Sequence, residues 1–391
     1  MNAQALENLK LKIAGVVGNC ELDESVISGS DNWSRIENLG RLIARLKPEW
    51  ISERQGEMLI CNLIYSSVNE LSRETKLNGR LAKFVDVVAL TEHMLGRISG
   101  LPYEYKIYYE LPNFSLPNGS RIDIGNEACL ELLSDNFVKG PSLSSALGVR
   151  SNTETCYFCT KVTGYCDYDP SAETPQESLK MFKVFVERGK SSNVLMTNFF
   201  LGWWGEREAK PIIYIHEIEG VDPGRVISYS VSKDIAQVLT TLQLGHDLEV
   251  GTNAQEAFAN GMRGFLKLTS RRDVSLARVI AACEWSFDSD SEHVSAMKVV
   301  KVCIGLESIY GEDNSEGGLT KSLSDRCAYS LANDVFERKR IMKNCRELYK
   351  VRSSIVHGVK RKLSAADSDL LKFGMEILTG SIDKEVTLLP D

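Results

Sequence analysis

The chain has 391 residues and a formal net charge of −7, with 43% hydrophobic and 25% charged residues. This composition is typical of a soluble globular protein of two or three domains and excludes a disordered or fibrous chain. The ten cysteines are scattered along the chain, which fits reduced thiols better than a disulfide framework. The N-terminal segment carries charges where a secretory signal needs an apolar run, so we expect a cytoplasmic protein without a membrane segment.

Three regions differ in their hydrophobic pattern. Residues 1–100 are predicted to be helical, because apolar residues recur at spacings of three and four. Residues 101–232 contain short β-favouring runs, which predict an antiparallel sheet or a partial barrel. These runs lie at 105–111, 156–162, 180–187, 211–218 and 225–231. From 233 to 391 the helical pattern returns, with one long helix at 335–357 whose predicted N-cap is Asp334. The sequence therefore predicts a multidomain α+β protein that ends in an all-α bundle.

One cysteine pair has a spacing that metal sites use. Cys156 and Cys159 form a Cys-x2-Cys pair, and Cys166 follows. A structural zinc site needs four ligands, and no second pair of this kind occurs. The alternating pattern around the pair is more simply a strand, so we assign no metal and no cofactor and keep zinc at these cysteines as the alternative. The chain also lacks the glycine-rich motifs that bind ATP or dinucleotides.

Positive charge is concentrated near the C-terminal end of this acidic chain. Residues 337–362 include ten lysines and arginines but only two acidic residues. A polyanion would be drawn to this segment and repelled elsewhere. A solvated helix face is the alternative interpretation. The residues predicted to bind an RNA backbone are Lys343, Arg346, Lys350, Lys360, Arg361 and Lys362.

Arg352 occupies an unusual position in the predicted helix. At 100° per residue it falls within about 20° of Ile341, inside an apolar stripe where a guanidinium is costly unless it is paired. His357 falls about 140° away from Arg352, so the two do not face one point on a regular helix. Either the helix deforms at Ser353 and Ser354, or the arginine reaches round, or the groups meet across a dimer contact, where arginine is enriched.

The same residues carry a family resemblance. Arg352 and His357 form an Arg-x4-His motif at the end of a long helix, within ELYKVRSSIVHG (347–358). Upstream lie LESIYGED (306–313) and a glycine-rich loop. This arrangement resembles the HEPN superfamily, and more narrowly its ApeA-like group associated with bacterial defence, over about residues 255–380. The resemblance implies a HEPN-like bundle that forms a homodimer, whose paired motifs make a metal-independent endoribonuclease of the antiviral or toxin type.

The resemblance also implies roles for single residues. His357 would act as acid or base toward the RNA 2′-hydroxyl or the leaving oxygen, and Arg352 would stabilise charge on the phosphate. Glu307 would orient Arg352, and Tyr349 would stack on a base or pack an interface. Ser353 would contact phosphate or bond back to a carbonyl one turn earlier, as would Ser354. The alternative for His357 is that it merely ends the helix, with Gly358 as a left-handed cap.

The first 250 residues carry no resemblance. We expect them to recognise a trigger ligand, a trigger protein or the substrate, or to hold the nuclease silent, with the middle domain as a sensor. The rival interpretation is a non-catalytic HEPN module that serves dimerisation and RNA or protein binding.

Overall fold

The computed structural model describes residues 3–72, 76–116, 121–134, 137–138, 154–197, 212–219, 225–245, 254–270, 274–311 and 319–390. These residues form a mixed α+β protein. Its principal helices are α1 (Ala3–Asn19), α2 (Ser30–Leu46), α3 (Glu53–Leu71), α4 (Val87–Ser99), α5 (Glu173–Ser191), α6 (Lys233–Thr241), α7 (Ala254–Gly261), α8 (Arg263–Thr269), α9 (Val274–Ser291), α10 (Ser295–Tyr310), α11 (Leu319–Leu331), α12 (Val335–Val356) and α13 (Ala365–Leu388). Among these helices, none combines the length and the apolar run that a membrane crossing needs.

The strands form three sheets. They are β1 (Glu21–Asp23), β2 (Val26–Ser28), β3 (Gly79–Arg80), β4 (Tyr103–Leu111), β5 (Arg121–Asp123), β6 (Ala128–Ser134), β7 (Glu154–Gly164), β8 (Leu195–Thr197), β9 (Ile212–Glu219), β10 (Val226–Ser230) and β11 (Leu242–Leu244). The largest sheet has the strand order β10-β9-β4-β7-β6-β5, and β6 runs antiparallel to both β5 and β7.

The chain divides into two compact units. The first comprises Met1–Ile107, Lys161–Ser178 and Tyr214–Tyr229. The second comprises Tyr108–Thr160, Leu179–Ile213 and Ser230–Asp391. Each unit thus combines three segments that are separated along the chain. The three-part division at residues 100 and 232 stays a prediction.

In the first unit, α2 and α3 approach each other at two glycines. A Cβ on Gly40 would lie 2.8 Å from the backbone nitrogen of Glu57, and a Cβ on Gly56 would lie 2.7 Å from the carbonyl oxygen of Gly40. Backbone atoms cannot turn aside as a flexible side chain can, so only glycine allows this close contact. The helix α3 starts with a capping box formed by Ser52 and Gln55.

The predicted strand at 180–187 is wrong, because this segment lies in α5. Phe182, Val184, Phe185 and Val186 are all buried. A helix that is buried on most sides presents consecutive apolar residues, and with valines among them the run resembles a strand. In the second unit the ring of Phe185 stacks on that of Phe158, at 4.3 Å between centroids. The other four β-favouring runs correspond to β4, β7, β9 and β10.

The C-terminal helices of the second unit form a bundle. Helix α10 packs against α9, α12 and α13, and α12 also packs against α11 and α13. The prediction of a helix at 335–357 is confirmed to within one residue. Its predicted N-cap is confirmed too, because the Asp334 carboxylate accepts a hydrogen bond of 2.8 Å from the backbone of Glu337. The glycine-rich loop joining α10 and α11 lies, at 312–318, outside the described residues.

Candidate active site

Helix α12 stays regular through its last turn. The Ser354 hydroxyl donates a hydrogen bond of 3.0 Å to the carbonyl of Lys350 one turn earlier. The backbone N–H of His357 donates to the carbonyl of Ser353 at 3.0 Å, the spacing of an α-helix. The helix therefore does not deform at Ser353 and Ser354. Of the three explanations for the separation of Arg352 and His357, this result removes the first.

A left-handed glycine ends the helix immediately after His357. Gly358 has a φ of +72°, its N–H donates to the carbonyl of Ile355, and the N–H of Val359 donates to the carbonyl of Ser354, both at 2.9 Å. These two bonds define a Schellman motif. The predicted glycine cap is thus confirmed. His357 itself is exposed, and within the described chain its imidazole makes no hydrogen bond or ion pair.

Arg352 lies against a carboxylate of the neighbouring helix. Its Nη2 atom is 3.9 Å from Oε1 of Glu307 in α10, and the two side chains are 33% and 23% exposed. The Nε atom of Arg352 is buried and has no hydrogen-bond partner among the described residues. The partial burial of a guanidinium is offset by a nearby carboxylate. A carboxylate of the same chain therefore accounts for an arginine in the apolar stripe. The position of Arg352 is then no longer an argument for a dimer contact.

Tyr349 belongs to the core of the bundle. The residue is 6% exposed, and its hydroxyl donates a hydrogen bond of 3.0 Å to the carbonyl of Cys303 in α10. Burial raises the pKa of this hydroxyl well above its ordinary value, so it remains a donor. A ring in this position offers no face to a base and none to a second chain. Tyr349 holds α12 against α10.

Half of the predicted RNA-binding residues have acidic partners. The ion pairs are Arg346 with Asp325 at 3.2 Å, Lys350 with Glu347 at 2.8 Å and Lys360 with Asp367 at 2.7 Å. In contrast, Lys343, Arg361 and Lys362 are exposed and form no ion pair in the part of the chain that the structure describes. Counting charges along the sequence missed Asp325 and Asp367, because they lie on α11 and α13 outside the basic segment.

Asp367 is the most strongly held of these partners. Both of its carboxylate oxygens accept hydrogen bonds from Lys360, at 2.9 and 2.7 Å, and the backbone N–H of Ser364 donates to it at 2.8 Å. These donors lower the pKa of Asp367 to about 2. The same carboxylate completes a capping box at the start of α13. Lys360 is thus part of the bundle's framework and less available to RNA.

A cleft of about 610 Å³ opens between α12 and α13. Its charged lining residues are Glu347, Lys350, Lys360, Asp367 and Asp369. A lining with three carboxylates and two amines does not favour the binding of a polyanion. Neither Arg352 nor His357 lines this cleft, so it is not the site that the motif predicts.

No family model, no curated protein and no solved structure matches the chain. The HEPN resemblance therefore rests on the residues of the motif and its flanks. In one chain, Arg352 is directed to Glu307 whereas His357 is exposed at the helix end, about 140° round the helix axis. A single phosphate reaches both groups only if the arginine extends round the helix or a second chain supplies one of them.

Proposed function

We propose that the protein is a metal-independent endoribonuclease of the HEPN type whose site is completed by a second copy of the chain. The observation that carries the proposal is the exposed imidazole of His357, held on a capped helix end. Four and five residues further along the chain lie Arg361 and Lys362, exposed cations with no ion pair among the described residues. An imidazole is the side chain that most often transfers protons in catalysis, and exposed cations without acidic partners suit a phosphate backbone.

The reaction would be an attack by the RNA 2′-hydroxyl on the adjacent phosphorus. His357 accepts the hydroxyl proton as the new P–O bond forms, and the bond to the 5′ oxygen breaks. The leaving oxygen takes a proton from an imidazolium, which is His357 itself or its copy in the partner chain. Arg352 stabilises the negative charge that develops on the phosphate. The products are a 2′,3′-cyclic phosphate and a 5′-hydroxyl.

The apolar surface around the motif supports a dimer. Val356 and Val359 flank His357 and are 54% and 81% exposed. Exposed apolar side chains that lie together, rather than singly, are typical of a surface that another chain covers. The dimer proposal thus rests on these valines and on the separation of Arg352 from His357, and no longer on the burial of the arginine.

The remaining parts of the proposal are a role in bacterial defence or toxicity, which rests on the resemblance, and a cytoplasmic location, which rests on the charges of the N-terminal segment. A sensing or silencing role for residues 1–250 toward a trigger ligand or protein is an analogy, because those residues carry no resemblance. The rival function is a non-catalytic module for dimerisation and binding. One observation favours dimerisation and protein binding over RNA binding, since Arg346, Lys350 and Lys360 are already neutralised by acids of the same chain.

The first experiment compares the full chain with His357→Ala on total cellular RNA in EDTA. His93→Ala is the matched control, because His93 is another exposed helical histidine, in α4. We expect the wild type and His93→Ala to leave 2′,3′-cyclic phosphate ends and His357→Ala to leave RNA intact. The same comparison in phage-infected cells supplies the trigger. Intact RNA with the wild type in both settings would leave the binding module as the function.

A mixing experiment tests the shared site. His357→Ala and Arg352→Ala are each inactive alone if both groups act in catalysis. In a mixed dimer, one chain supplies the arginine and the other the histidine, so one complete site forms and cleavage returns. Absence of recovery in a verified mixed dimer would mean either that both groups act from one chain or that cleavage needs the histidines of both chains.

A further inference from the structure

Strands β6 and β7 bring two cysteines and a glutamate together. The antiparallel register places Cys129 directly opposite Cys159. Glu131 lies two residues further along β6 and therefore on the same face of the sheet. The two sulfur atoms and a carboxylate oxygen all lie within 4.8 Å of one another. Three groups that commonly bind metals thus converge on one point.

This cluster is not the one that the sequence pattern suggested. Cys156 lies three residues before Cys159 in a strand whose pairing with β6 is regular, so the two side chains point to opposite faces. Cys156 and Cys159 cannot bind the same ion in this conformation. Sequence reasoning missed Cys129 as the partner, because no spacing along the chain links it to Cys159.

The surroundings of the cluster suit a bound cation. Cys129 and Cys159 are 3% and 1% exposed, and the side chain of Glu131 is 19% exposed. Arg121 contacts one oxygen of Glu131 at 3.3 Å and would hold the carboxylate in place, as groups around metal ligands do. The ring of buried Tyr108 contacts that of Tyr157 edge-on, and Tyr157 is paired with Glu131 across the two strands. The pKa of the Tyr108 hydroxyl is raised by burial and further by Cys159, Glu131 and Cys129.

We propose that Cys129, Glu131 and Cys159 form a zinc-binding site that fastens β6 to β7. Zinc binds thiolates at about 2.3 Å in a tetrahedron, which requires sulfur atoms about 3.8 Å apart. The separations of up to 4.8 Å come into that range by side-chain shifts of about 1 Å. Magnesium and calcium prefer oxygen ligands, so two thiolates select against them. Water or the Tyr108 hydroxyl completes the fourth position.

The chemistry of binding is balanced by proton release. Each thiol loses its proton to solvent as its sulfur binds the ion. Two thiolates and one carboxylate carry three negative charges, which the dication largely offsets. Affinity should therefore fall as pH is lowered. The site is independent of the proposed nuclease motif, and EDTA would remove this ion without taking a ligand from Arg352 or His357.

The test is a titration of the metal-free, reduced full chain with Co²⁺, which gives an intense thiolate-to-cobalt absorption band. We expect one bound ion per chain and displacement of the band by Zn²⁺. Cys129→Ser and Cys159→Ser should lose the band, and Glu131→Gln should weaken binding by about 10-fold or more. Cys156→Ser is the matched control, since Cys156 is equally buried in the same strand, and it should keep the band.

A measurement on the wild type guards against variants that fail to fold. The X-ray absorption spectrum of the zinc-loaded chain should show two sulfur ligands and the rest oxygen. Absence of the cobalt band in the wild type would overturn the proposal, as would a full band in folded Cys159→Ser. A disulfide between Cys129 and Cys159 that resists reduction and prevents metal uptake would replace the metal site with a covalent link.

Discussion

The guanidinium of Arg352 and the carboxylate of Glu307 form a partly buried ion pair, 3.9 Å long, between α12 and α10. At this distance the pair is an electrostatic contact rather than a strong hydrogen bond. Its main effect is therefore on the direction of the arginine. If Arg352 acts on a phosphate, Glu307 is a positioning residue that keeps the guanidinium beside the helix until the substrate competes for it.

Glu307→Gln tests this positioning role. We expect the free energy of unfolding to change by less than about 1 kcal/mol, because the pair is long and partly exposed. RNA cleavage should fall by about 10-fold, since the arginine loses its fixed direction. The cleavage rate of Arg352→Lys should fall further, because an ammonium group lacks the planar, two-pronged donor geometry of a guanidinium. Initial cleavage rates and urea midpoints measure the two effects separately.

Glu292→Gln is the control for this experiment. Glu292 forms a 2.8 Å ion pair with Lys301 in the same bundle, with similar burial. Loss of this ion pair should lower the stability of the fold and leave the rate of RNA cleavage unchanged. Equal losses of activity in Glu292→Gln and Glu307→Gln would show that the Glu307 effect is a general loss of structure. Full activity in Arg352→Ala would remove the arginine from the mechanism.

Local chemistry made the ends of α12 predictable. An aspartate before the first turn and a glycine after the last act within a few residues of their own position, and both Asp334 and Gly358 behave as predicted. The pairing of Arg346 and Lys360 with acids of other helices depends on the packing of the bundle. No pattern along one segment encodes it. The same limit applies to the facing of Cys129 and Cys159 across two strands.

Tyr349→Phe separates a packing role from a role in RNA binding. Removing a buried hydroxyl that donates to the Cys303 carbonyl should cost about 1 kcal/mol of unfolding free energy. Affinity for RNA and cleavage should not change, because the ring is buried. Urea denaturation and RNA binding are measured on the same preparation. A clear loss of RNA affinity at unchanged stability would return Tyr349 to the binding surface.

Asp367→Asn should reveal a pH-dependent contribution to stability. The folded-state pKa of Asp367 is about 2, below its ordinary value of 3.8. Its ionised form therefore stabilises the fold above about pH 4, and this contribution is lost as pH falls through about 2. At pH 7 the substitution should lower the free energy of unfolding by about 1 to 2 kcal/mol. The difference from wild type should shrink below pH 4.

Urea midpoints at several pH values between 7 and 3 test this expectation. Asp369→Asn is the matched control, because Asp369 is exposed in the same helical turn, and it should have little effect at any pH. A difference between Asp367→Asn and wild type that stays constant down to pH 3 would mean that the hydrogen-bond geometry matters and the charge does not.

The salt dependence of RNA binding should identify the cations that contact phosphate. The double variant Arg361→Ala/Lys362→Ala removes two exposed cations that have no acidic partner in the described structure. If each contacts one phosphate of single-stranded RNA, the slope of log K against log salt should fall by about 1.4. The measurement is fluorescence anisotropy in a His357→Ala background, so that the RNA stays intact.

The double variant Lys12→Ala/Lys372→Ala is the control. It makes the same change in net charge at exposed lysines of α1 and α13 and should leave the slope unchanged. Equal changes in both double variants would indicate that RNA responds only to net charge, and the helix end would then not be its binding site.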